Sequence, residues 1–144
     1  MIVVDLFCGL GGFSQAFRDR GHRVIGVDIV PPADVIADVK HLPFNGRLRP
    51  DVVLASPPCQ DFSRWSMRGL NVKRGIPHKD PDMGLLEATI AAVEQLKPRW
   101  WVLENVKGAQ EWFRPYLGLA SMHVGSRFLW GSFPLPLGIE HHEC

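Results

Sequence analysis

Cys59 closes the run Pro57-Pro58-Cys59, directly after the apolar stretch Val52-Val53-Leu54-Ala55, so a thiol stands where a buried strand breaks into a proline-stiffened loop. Cysteine is intrinsically nucleophilic near neutral pH, and the carboxyl end of a strand offers the exposure and local dipoles that favour the thiolate. The same run also reads as a small cysteine capping a core strand. Downstream, no acidic residue separates Asp61 from Asp80, while Arg64, Arg68, Lys73, Arg74 and Lys79 all fall in that interval. A mobile basic loop of this kind would neutralise phosphates and bring a base to the thiol; the alternative is an ordinary solvated loop. Glu104-Asn105 follows the apolar run Trp100-Trp101-Val102-Leu103, either as chemistry at a strand end or as the cap of a helix starting near Val106. Trp100 and Trp101 read as core rather than as a stacking platform.

The elements that must position these groups follow from the apolar pattern. Ile2 to Phe7 predicts a buried strand; Gly9, Gly11 and Gly12 a tight turn; Phe13, Ala16 and Phe17 a helix that Gly21 closes. Val24 to Val27 makes a second strand ending at Asp28, and Val35 to Ala37 a short third ending at Asp38. Asp51 to Ser56 is the next strand. Met83, Leu86, Ile90, Val93 and Leu96 then mark a helix of about four turns, stopped by Pro98. Trp100 to Leu103 forms a last strand that breaks at Glu104-Asn105. This alternation predicts an α/β fold, a mostly parallel sheet with helices on both faces. Ligands bind such a sheet outside the carboxyl ends of its strands, which brings Gly9 to Gly12, Asp28, Asp38, Cys59 and Glu104 to one edge. There Asp28 and Asp38 would accept hydrogen bonds from a ribose and an adenine amine, which points to a nucleoside cofactor. Asp5 reads as a structural group, holding the glycine turn through backbone donors.

Three motifs in this order, Asp5-Leu-Phe-Cys-Gly-Leu-Gly-Gly-Phe-Ser14, Pro57-Pro-Cys-Gln60 with Phe62-Ser63, and Glu104-Asn-Val106, resemble those of the DNA cytosine-5 methyltransferase family. The resemblance spans residues 1 to about 110. It implies a Rossmann-like fold dependent on S-adenosylmethionine, with S-adenosylhomocysteine as product. The implied cofactor residues are Asp5, Phe7, Gly9, Gly11, Asp28, Ile29, Asp38 and Pro57. The implied catalytic residues are Cys59 as nucleophile toward carbon 6 of cytosine, Glu104 as the carboxyl group at nitrogen 3, and Gln60 and Asn105 beside them. Ser63, Arg64, Arg68 and Arg127 are the implied substrate contacts. The implied partner is double-stranded DNA with a flipped cytosine; RNA is the alternative substrate, since one branch of the family methylates tRNA. A remnant or subunit that binds cofactor without turning over is the other reading.

Composition narrows the rest. The 144 residues, 46% hydrophobic and 22% charged, suit one catalytic domain over 1–144 with no second large one. Net charge is only +1, so bulk electrostatics does not announce a nucleic-acid partner. No apolar run reaches membrane-span length, and Met1-Ile-Val-Val-Asp5 lacks signal-peptide zones. Cys8, Cys59 and Cys144, an odd number at wide spacing, argue against a disulfide framework and for a reduced, cytoplasmic compartment in a bacterial, archaeal or viral source. His141, His142 and Cys144 read as a frayed tail rather than a metal site, and no metal is expected. The family's Gln-x-Arg-x-Arg motif, target recognition domain and closing helix are not found, so a fold truncated on its C-terminal side is expected, with Arg114 or Arg127 standing in for the missing arginines. The tail His123 to Pro134 is similar to that of short methyltransferase-like proteins of viruses and prophages. A homodimer, or a second chain supplying the missing motifs, is expected to complete it.

Overall fold

The computed structural model describes residues 1–65, 75 and 80–135, with only the backbone of Arg64 and Trp65. The expected roles of Arg64 and Arg68, the basic residues Lys73, Arg74 and Lys79, and the tail from 136 therefore lie outside the described side chains.

Seven strands form one sheet in the order β3-β2-β1-β4-β5-β7-β6. They are β1 Ile2–Leu6, β2 Arg23–Asp28, β3 Val35–Ile36, β4 Val52–Ala55, β5 Trp100–Val106, β6 Met122–Val124 and β7 Arg127–Ser132. The first five run parallel, and β7 lies antiparallel between β5 and β6. Helices α1 (Gln15–Asp19), α2 (Gln60–Trp65), α3 (Gly84–Leu96) and α4 (Gln110–Leu117) join them, with 3₁₀ turns at Val39–His41 and Lys107–Ala109. Among the described residues no helix is long and apolar enough to cross a membrane.

Successive strand residues point to opposite faces, so the continuous apolar runs read from the sequence bury both sides of the sheet. Val3, Val52 and Leu54 face the layer of Phe13 and Phe17, beside α1. Val4, Leu6, Val53, Ala55 and Leu103 face a larger layer, where Leu86, Ala92 and Leu96 of α3 and Phe113 of α4 are buried. Phe113 meets Phe62 of α2 edge-on at 5.1 Å between ring centroids, and Trp130 of β7 at 4.9 Å. The segment after Cys59 is thus pinned to the core through Phe62, which is 5% exposed.

Four expectations change. The third strand stops at Ile36, because Asp38 turns the chain: its Oδ1 accepts the Lys40 amide and caps the 3₁₀ turn. The loop after Cys59 starts as the helix α2. The strand expected to break at Glu104-Asn105 continues through Val106, since β7 supplies a partner for every residue from Trp101 to Val106. Finally, β6 and β7 were not anticipated. The pairing of β7 with β5 depends on Gly131, at φ 146, where a Cβ would run into the Trp101 carbonyl oxygen.

Candidate active site

The carboxyl ends of β1, β2, β4 and β5 open on one cavity of about 360 Å³, in the usual size range of small-molecule sites. One end is bounded by Phe7, Val27, Asp28, Ile29, Ala37, Asp38 and Val39, and the other by Ser56, Cys59, Gln60, Glu104, Asn105 and Arg127. Pro57 and Leu85 also reach it.

At the first end, the chain leaves β1 through Phe7, a non-glycine residue at φ 61. That left-handed conformation costs about 1 kcal/mol. It throws the Phe7 ring onto the cavity wall and lets the glycine turn begin. Asp28 holds the turn in place: its Oδ2 accepts the Gly9 amide at 2.9 Å while Oδ1 accepts the Ile29 amide at 2.7 Å. Each carboxylate oxygen has a second lone pair for a ligand. Gly9 and Gly11, at φ 50 and 81, shape the turn without forming the wall.

Asp5 differs from expectation in two ways. It is fully buried behind the cavity wall rather than on it, and its Oδ2 accepts the Ser14 hydroxyl at 2.6 Å rather than backbone donors. Its Oδ1 has no hydrogen-bond partner among the described residues. Burial pushes this carboxyl above the ordinary carboxylate range, against the Ser14 hydrogen bond and the charge of Arg18.

At the second end, Glu104 is 8% exposed and both of its oxygens are engaged. Arg127 Nη1 donates to Oε1 at 2.7 Å, and the Ser56 hydroxyl donates to Oε2. The hydrogen bond and charge of Glu104 push the Arg127 guanidinium still higher, and the charge of Cys59 adds to this. Asn105, 1% exposed, donates through Nδ2 to the Pro57 carbonyl at 3.1 Å and accepts the Val106 amide on Oδ1. It therefore locks the proline loop to β5. Cys59 is half-buried on the wall, and its carbonyl accepts the Ser63 amide at 2.9 Å as α2 begins.

Of the expected site residues, Phe7, Asp28, Ile29, Asp38, Pro57, Cys59, Gln60, Glu104, Asn105 and Arg127 line the one cavity. Ser63 is exposed and off its wall, as is Arg114 on α4. Sequence reasoning missed Ser56. The register Ala55↔Leu103 places the next residues, Ser56 and Glu104, side by side, and that pairing has no trace in the sequence.

A carboxylate-bearing slot continuous with a thiol, a carboxyl group and a guanidinium lies at the strand ends of a sheet with one reversed strand, which has the Rossmann-like methyltransferase fold. Residues 1–112 match the family model of C-5 cytosine-specific DNA methylases, and the chain belongs to that family. It is 37% identical over 142 residues to the DNA (cytosine-5-)-methyltransferase M.ApeKI of Aeropyrum pernix, covering 74% of this chain and 29% of the relative. To the type II methyltransferase M.AplI of Arthrospira platensis it is 33% identical over 129 residues, covering 81% and 34%. The chain thus spans about a third of the length of these relatives. A crystal structure described as a DNA modification methyltransferase encoded within an E. coli prophage is similar at a TM-score of 0.57 and 25% identity, over 80% of this chain and 35% of that one.

Proposed function

We propose that the protein transfers a methyl group from S-adenosylmethionine to carbon 5 of a cytosine in DNA, with residues 1–144 acting as one catalytic domain. The observation that carries this reading is the convergence of Cys59, Glu104 and Arg127 at one end of a cavity whose other end presents Asp28 and Asp38 between apolar walls. That second end suits an adenosine: Phe7, Val27, Ile29, Ala37 and Val39 offer apolar surface to a base, and the two carboxylates offer acceptors to hydroxyl and amine donors. Bound there, S-adenosylmethionine supplies an electrophilic methyl group.

The protein's own residues must make the cytosine ring a nucleophile. The Cys59 thiolate adds to carbon 6; the carbon 5–carbon 6 π pair shifts to carbon 4–carbon 5, the carbon 4–nitrogen 3 π pair moves onto nitrogen 3, and nitrogen 3 takes a proton from Glu104. Arg127 holds the carboxyl group in place and offsets the charge left on it. Carbon 5, now enamine-like, attacks the methyl group. Loss of the carbon 5 proton then restores the double bond and expels the thiolate. Asn105 holds the loop that carries the nucleophile, and Gln60 lines the cavity beside it. Such a ring is out of reach inside a duplex, so the nucleotide must leave the stack at a cost of a few kcal/mol.

The test is covalent trapping. Duplex DNA carrying 5-fluorocytosine, incubated with S-adenosylmethionine, is expected to give a denaturant-resistant adduct that is absent in Cys59→Ser, because fluorine blocks the elimination. Cofactor binding with no adduct to DNA would overturn the proposal in favour of a cofactor-binding subunit, and an adduct to RNA alone would change the substrate.

A further inference from the structure

The two oxygens of Glu104 meet donors of different chemistry, and this difference decides where its proton sits. Arg127 Nη1 donates to Oε1, and a guanidinium has donors only and keeps its charge at any ordinary pH. A proton on Oε1 would point at those N–H groups, so Oε1 stays an acceptor. Ser56 donates to Oε2, and a hydroxyl both donates and accepts, with a proton that rotates to suit. Oε2 is therefore the oxygen that tolerates either state. Its partner is held firmly: the Ser56 amide donates to the Leu6 carbonyl on β1 at 3.3 Å, while the side chain faces Glu104 at the end of β5.

Building on the reading of Glu104 as the acid at nitrogen 3, we infer that Ser56 is a positioning residue that assigns the transferable proton to Glu104 Oε2. With cytosine in place, the proton turns to nitrogen 3 and the Ser56 hydroxyl rotates to donate to Oε2. As the sulfur–carbon 6 bond forms, the Oε2–H bond breaks and its electron pair stays on Oε2. The Ser56 donor meets the charge that develops there. On elimination the proton returns from nitrogen 3 to the same oxygen. Arg127 is left to orient the carboxyl group without competing for the proton, and the free lone pair of Oε1 can accept from the exocyclic amine.

The experiment measures the rate of adduct formation on 5-fluorocytosine duplex in single turnover, for the wild type and for Ser56→Ala, Ser56→Gly and Ser56→Thr. Both truncations are expected to slow the adduct roughly 10- to 100-fold, while cofactor and DNA affinities stay within about twofold. Threonine, which keeps the hydroxyl, is expected to stay within about threefold of the wild type. In duplex carrying 5-azacytosine, the ring nitrogen already draws electrons from carbon 6, so the truncation deficit is expected to shrink to about threefold or less. An unchanged rate in alanine and glycine variants of intact melting temperature would overturn the inference, as would equal deficits on the two bases. Absence of an adduct in the wild type would instead overturn the reading of Cys59 and Glu104.

Discussion

Cys8 and Cys59 both follow the carboxyl ends of adjacent parallel strands, β1 and β4, yet the two turns put the same thiol into opposite situations. Beyond β1 the glycine turn folds the chain back against β2. Cys8 ends 9% exposed, its Sγ on the Gly9 carbonyl and packed over Gly26, where a Cβ would lie 2.9 Å away. Burial pushes this thiol up, and the carboxylates of Asp5, Asp28 and Asp34 push it further. Beyond β4 two prolines carry the chain outward and Cys59 stands on the cavity wall that Arg127 also lines. Position at a strand end does not make a cysteine a nucleophile. The sign of the surrounding charge and the access of a reactant do.

The contrast breaks most directly on reactivity. In the native protein, iodoacetamide is expected to label Cys59 at least about 100-fold faster than Cys8, with the labelled peptides counted by mass spectrometry and the difference lost in denaturant. Comparable native rates would show that the two environments do not differ as described.

A smaller effect separates the turn that holds Cys8 from the wall it helps to build. Asp28 ties the Gly9 amide and faces the cavity, so Asp28→Ala is expected to weaken S-adenosylmethionine binding by about 10-fold or more, from the loss of charge-assisted hydrogen bonds each worth about 1.5–3 kcal/mol. Calorimetric titration checks this, and unchanged affinity would remove Asp28 from the cofactor end.

The smallest effect lies in the dehydrated, negative surroundings of Cys8. Asp5 loses its proton near 3.8 in the unfolded chain but at higher pH in the folded one. Between the two values the unfolded state is the one already ionised. The Asp5 contribution to stability should therefore be greatest at low pH, fall as pH rises through that window, and level off above the folded value. Asp5→Asn is expected to flatten this fall and to leave the protein about 1 kcal/mol more stable at neutral pH, measured by urea unfolding across pH. A variant that is less stable by the same amount at every pH would show that the Ser14 contact outweighs the burial of charge.

Much of the scaffold was legible because its signals are local. Continuous apolar runs marked β1, β2, β4 and the start of β5, the spacing of Leu86, Val93 and Leu96 marked α3, and each strand end carried a polar or thiol residue onto one edge. The misses at β5 and Asp5 share one cause. The run Glu104-Asn105-Val106 looks like a strand's end until β7 is laid beside it, and β7 carries Gly131 near its end and is recognisable only through its partner. Asp5 looked like a turn anchor because its burial depends on α1 closing over it through Ser14.

The residue types and their order determined, without any structure, that a thiol, a carboxyl group and an acidic cofactor edge would share one end of a parallel sheet, because the direction of every parallel strand follows from chain connectivity. Only the tertiary structure decided which side chains hold which. Strand register sets Ser56 and Arg127 on the two oxygens of Glu104, and it is fixed by packing and pairing between segments dozens of residues apart, which no local pattern encodes.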